Sequence, residues 1–123
     1  MPARRRTEPA EGRRALDAWR GGATDRRTIA TAVRFTLEEL SDVAPGHAVE
    51  VRVPPAGAVQ CVEGPRHTRG TPPNVVETDP ATWLGLATGE LAWAQAAAEG
   101  RIAASGDRAD LSALLPLQAA RAR

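Results

Sequence analysis

At 123 residues the chain has room for one domain, and its 42% hydrophobic content allows a modest core built from Val, Leu, Ile, Ala, one Phe and three Trp, with no Tyr. A single cysteine, Cys61, excludes an internal disulfide and a thiolate zinc cluster. The net charge of +1 conceals a basic head: residues 1–34 carry nine Arg against four acids, and residues 35–123 carry seven Arg against eleven acids, with no Lys at all.

Residues 1–9, with Arg4, Arg5 and Arg6, read as a disordered basic tail. The head is a solvated extension on this reading, and no nucleic-acid partner is expected. It lacks the apolar run of a signal peptide, and no stretch approaches the ~20 apolar residues of a membrane helix. A cytoplasmic protein without stable membrane insertion is therefore expected. Residues 10–24 predict a short helix from Ala10 to Arg20 and a linker, with Gly21 and Gly22 as the stop.

Thr24 or Asp25 caps the next helix, predicted to continue to about Asp42. The spacing of Ile29, Val33, Leu37 and Leu40 defines its buried stripe. Pro45 and Gly46 break it. Val49, Val51 and Val53 alternate with Glu50 and Arg52, the pattern of a strand with one wet face. After the turn at Pro54-Pro55, Ala58 to Glu63 predicts a second strand, apolar on both faces and so central in the sheet. Gly64 to Pro73 reads as a long loop, and Asn74 to Glu77 as a third strand.

Asp79 is a natural N-cap, and Pro80 fits the first helical position because no amide hydrogen is needed there. Trp83, Leu84, Leu86 and Ala87 make a short apolar helix that Gly89 can end in the left-handed conformation. A second helix is predicted from about Glu90 to Glu99, ended by Gly100. Ile102 to Ser105 gives a fourth strand, and Asp110 can cap a last turn from Leu111 to Leu115 before Pro116. Residues 118–123 read as a frayed tail. The order is α+β, with no repeat.

Few residues offer chemistry. Cys61 lies in an apolar strand, where a free thiol behaves as a small hydrophobe. His47, His67 and Cys61 have no spacing that suits a metal. His67, between Arg66 and Arg69, lacks the carboxylate that orients a catalytic imidazole. The two guanidiniums could instead hold a carboxylate or phosphate, or simply pair with Glu63 or Glu77 at the surface. Trp83 and Trp93 serve either as core or as cavity lining. No catalytic residue, cofactor or metal is expected.

The run Asp79, Trp83-Leu84, Leu86, Gly89, Ala96, Gly100-Arg101-Ile102, Gly106-Asp107, Leu111 and Leu114-Leu115 resembles the C-terminal half of sterol-carrier-protein-like domains. The stretch from Val49 to Pro80 is similar to a narrower actinobacterial branch of that superfamily. Residues 25–117 form the sterol-carrier-like domain on this resemblance. It implies a largely antiparallel sheet of about five strands with helices packed on it, enclosing a tunnel for an acyl chain or sterol and no catalytic apparatus. Leu37, Leu40, Trp83, Leu86, Leu91 and Leu114 would line the tunnel, and Arg66, His67 and Arg69 would hold an anionic head group. The expected function is non-enzymatic binding or transfer of an apolar small molecule or lipid. The alternative is a ligand-free scaffold that binds a partner protein or forms a homodimer.

Overall fold

A computed structural model of the chain describes residues 7–64 and 74–121. The first helix, α1 (Pro9–Arg20), begins inside the stretch read as a tail, because Glu8 accepts from the amides of Ala10 and Glu11 at 3.1 and 3.0 Å. Thr7 is buried, and its amide donates to Glu38 Oε1 at 3.2 Å. The remainder of that tail, residues 1–6, lies outside the described residues.

Helix α2 (Arg26–Val43) is capped by Asp25, which accepts from the Thr28 amide at 3.0 Å. Val33, Leu37 and Leu40 of the predicted stripe are buried, and Ile29 at the open end is half-buried. Phe35 faces α1 at a very close approach: a Cβ on Gly12 would overlap the Phe35 ring. Only a glycine lets the two helices pack so tightly. The Arg13 guanidinium sits 6.0 Å from the same ring. Arg13 and Arg20 then reach across to the last residues described, donating to the carbonyls of Ala119 and Ala120.

Four strands form a mixed sheet: β1 (Val49–Val53), β2 (Gly57–Cys61), β3 (Asn74–Thr78) and β4 (Ile102–Ser105), in the order β2-β1-β3-β4. Hairpin β1–β2 is antiparallel with Val51 opposite Val59, β1–β3 is parallel with Val51 opposite Val76, and β3–β4 is antiparallel with Val76 opposite Ala104. Among the described residues this is one strand fewer than about five. The α+β class and the antiparallel majority agree with expectation.

The second strand is an edge, not a central strand. Apolar composition on both faces suggested otherwise, but Ala58 and Gln60 are exposed and only β1 pairs with it. It also stops early, at Cys61. Val62 takes a left-handed φ of 69°, and its amide leaves the sheet to donate to the Ala44 carbonyl at 2.7 Å. A β-branched residue adopts that conformation only where its surroundings impose it. Val49, Val51 and Val53 point toward the helices, whereas Arg52, Gln60 and Glu77 face water. The sheet thus has one dry face, covered by α2 and by helix α3 (Pro80–Thr88), and one wet face.

Candidate functional site

Helix α3 positions the candidate site. Asp79 accepts from the Thr82 amide on one oxygen and from the Thr82 hydroxyl on the other, each at 2.8 Å, which fixes the helix start. Every residue from Thr82 to Thr88 is buried. Gly89 closes the helix with φ of 87°, and its amide and that of Leu91 both donate to the Gly85 carbonyl, at 3.1 and 3.0 Å. Glu90 and Leu91 are therefore spent in a reversal. The next helix, α4 (Trp93–Ala98), starts later than the predicted Glu90.

The segment after β4 supplies the other wall. Asp110 accepts from the Ser112 amide at 2.9 Å, and Leu114 donates to the Leu111 carbonyl at 2.9 Å, so the predicted helical turn is a single tight turn. Leu111 and Leu117 are buried in the core. The Leu117 amide docks on the Ala87 carbonyl at 2.9 Å, which holds Pro116 against Gly89.

Between these walls lies a cleft of about 320 Å³ lined by Leu86, Gly89, Leu91, Ala92, Trp93, Ala94, Ser112, Leu115 and Pro116. Leu86 is buried at its base, whereas Gly89, Ala92, Ala94 and Ser112 are exposed, so the cleft opens to water. Among the described residues, no charged side chain lines it, and the Ser112 hydroxyl and the Trp93 indole are its only polar side-chain groups. Such a surface gains by covering apolar area and offers little to an ion.

The expected tunnel residues divide. Leu86 and Leu91 line the cleft. Leu37, Leu40 and Trp83 belong to the buried hydrophobic core, at 1%, 0% and 0% exposure, and are not part of the cleft lining. Trp83 is further tied down by its indole N–H, which donates to Thr36 Oγ1 at 2.8 Å. Leu114 packs half-buried against the core, while its neighbours Leu115 and Pro116 reach the cleft. Arg66, His67 and Arg69 lie outside the described residues.

Sequence reasoning missed Ser112 and Pro116 as lining. The signal for Pro116 was indirect: a glycine at 89 with room on one face needs something to fill that room. Trp93, weighed equally as core and as lining, is the indole that reaches the cleft.

The other chemical groups are engaged elsewhere. Burial pushes the Cys61 thiol up to about 11, so it stays protonated inside the sheet. His47 Nδ1 lies 2.6 Å from Gln60 Oε1 on the exposed rim of the hairpin. Among the described residues, no group of three or more His, Cys, Asp or Glu could hold a metal ion. No described helix is long and apolar enough to cross a membrane.

A protein-family model described as a bacterial SCP ortholog matches residues 25–117. The chain belongs to this family of bacterial sterol-carrier-protein-like domains. No curated protein matches it. The family span starts at the Asp25 cap of α2 and ends at Leu117, whose amide docks on α3. It holds the whole sheet and the whole cleft, and leaves α1 outside. Membership suggests lipid binding or transfer in general terms, by a domain that is generally a carrier without catalysis.

Proposed function

We propose that this sterol-carrier-like protein binds an apolar, lipid-type ligand, such as an acyl chain, in the cleft between α3, α4 and the Ser112–Pro116 segment. One observation carries the reading: a mainly aliphatic cleft open to water, with no charged side chain in its lining among the described residues, lies inside the family-matched residues. Covering it removes apolar surface from water, worth about 0.8 kcal/mol for each methylene buried. Its volume sits at the low end of the roughly 300–1,000 Å³ typical of small-molecule sites. The described lining is aliphatic, aromatic and hydroxyl in character, and membership of a family of generally non-catalytic carrier domains supports a carrier. From the sequence alone, Arg66, His67 and Arg69 are proposed as contacts for an anionic head group.

The test fills the cleft from an exposed position. Ala94→Trp should lower affinity for a fluorescent fatty acid at least tenfold while leaving the thermal midpoint unchanged. Unaltered affinity would remove the cleft from the account. Native mass spectrometry of protein purified from a bacterial host should show bound lipid. A bare mass together with no titratable binding would favour the ligand-free scaffold.

A further inference from the structure

We infer that the chain pairs with a second copy of itself along the open edge of β4, antiparallel strand against strand, so that two four-stranded sheets become one. The interface uses none of the residues that line the cleft and stands independently of the proposed ligand.

Among the described residues β3 is the only partner of β4, so every second residue of Ile102–Ser105 turns its N–H and C=O outward with no strand to meet them. Ala103, Ala104 and Ser105 are exposed. Sheet edges are ordinarily guarded by charge, proline or a bulge, and here the distribution is reversed. The charges of the wet face, Glu50, Arg52 and Glu77, stand on β1 and β3 in the middle of the sheet, and β4 carries none. The opposite edge is blunted where β2 stops at the left-handed Val62. Ala104 lies opposite buried Val76 and so shares its dry side, yet it is exposed, because the helical layer stops short of this edge.

The strand instead has opposite charges at its two ends. Arg101 precedes it, donating from Nε to Thr82 Oγ1 at 3.1 Å and from Nη1 to Glu99 at 3.3 Å, which leaves Nη2 without a partner among the described residues. Asp107 follows it in a turn pinned to β3: the Asn74 side chain accepts from the Arg108 amide at 3.1 Å and donates to the Ala48 carbonyl at 2.8 Å. Asp107 itself has no hydrogen bond or ion pair among the described residues. A two-fold axis pairs residues whose numbers add to a constant, and only an even sum sets outward-facing backbone opposite outward-facing backbone. The sum that centres on Ala104 places Ala103 opposite the partner's Ser105, and Arg101 opposite the partner's Asp107, at both ends of the seam. Centring on Ala103 or on Ser105 separates both pairs of charges. Directly opposite residues share a face, so the dry side runs on from one copy to the next and brings the two Ala104 side chains together.

A short strand of small residues buries little area, so the association belongs to the weak, transient class. Sedimentation velocity of the full chain from micromolar to millimolar concentration should show a reversible monomer–dimer equilibrium. Asp107→Arg sets like charges opposite each other at both ends and should weaken the dimer at least tenfold with the thermal midpoint unchanged. Arg101→Asp should be monomeric too, and mixing the two variants should restore association because opposite charges meet again. Cross-linking reads the register without charge. Ala104→Cys should oxidise in air to a disulfide dimer, since directly opposite Cα atoms lie about 4.5–5.5 Å apart. Ser105→Cys should not, because its counterpart is diagonal, about 7–8 Å away. Cys61 is buried, so the parent protein supplies the blank. Should Arg101→Asp lose its fold, the cysteine pair decides the register. A chain that stays monomeric at every concentration overturns the proposal. So does a dimer that Asp107→Arg leaves at full strength, or one that cross-links at 105 as readily as at 104.

Discussion

The indole of Trp83 donates to Thr36 Oγ1 at 2.8 Å, linking the middle of α3 to the middle of α2 with both residues closed off from water. The Thr36 hydroxyl in turn lies 2.8 and 3.0 Å from the carbonyls of Ala32 and Val33, its own preceding turn. It is therefore positioned to donate backward and accept from the indole at the same time.

Replacing that hydroxyl should be costly for a reason other than volume. Thr36→Val keeps the shape and leaves a buried indole N–H without an acceptor, so a loss of about 1–3 kcal/mol is expected. Thr36→Ser retains the acceptor and should lose less. Urea denaturation of the two variants separates the cases. Equal losses would mean that packing, not the hydrogen bond, is what Thr36 contributes.

The cap of α3 makes a pH prediction. Burial raises the Asp79 carboxyl, but the Thr82 amide, the Thr82 hydroxyl and nearby Arg101 outweigh it and hold the group below its ordinary value. A depressed folded value means the contribution is fully present above the unfolded pKa of about 3.9 and is lost as pH falls through the folded value. Asp79→Ala should cost about 0.5–2 kcal/mol at neutral pH. The gap from the parent protein should stay constant down to about pH 5 and narrow toward about pH 3. A gap that does not change with pH would show that the charge of Asp79 plays no part.

Cys61 offers a kinetic measurement. Its thiol is fully buried and pushed up to about 11 by desolvation, so little thiolate exists at mild pH and none of it faces solvent. Disulfide-exchange labelling of the native protein should proceed only through opening of the fold. It should be complete within the mixing time in concentrated urea. Fast labelling without denaturant would place β2 in exchange with an open form.

What the sequence made legible was local. The stripe of α2, the caps at Asp25 and Asp79 and the stop at Gly89 all follow from side chains acting within one or two turns of themselves. The edge position of β2 was not legible, because pairing partners depend on where β3 returns, and Ala58 and Val59 are compatible with either location. The expected tunnel residues fall in two places for a similar reason. Leu37, Leu40 and Trp83 have the composition of a lining and of a core alike, and only the closeness of α2, α3 and the sheet makes them core. Leu86 and Leu91 face the cleft, while the place of Ser112 and Pro116 beside them depends on a docking bond between residues 87 and 117 that no local pattern encodes.

The guanidinium of Arg13 and the carbonyl of Ala119 are 106 residues apart in sequence, and Arg20 and Ala120 are 100 apart. A ribosome releases α1 early, and α1 can settle on α2 almost at once because a short linker joins them. The two arginines cannot make these carbonyl contacts until residues 119 and 120 have emerged. Contacts of such high sequence separation reward the chain only after the intervening fold has formed, so these bonds belong to the final stage of assembly rather than to the nucleus. The nascent protein thus carries an unfinished seam along α1 until the segment around Ala119 and Ala120 appears and closes it.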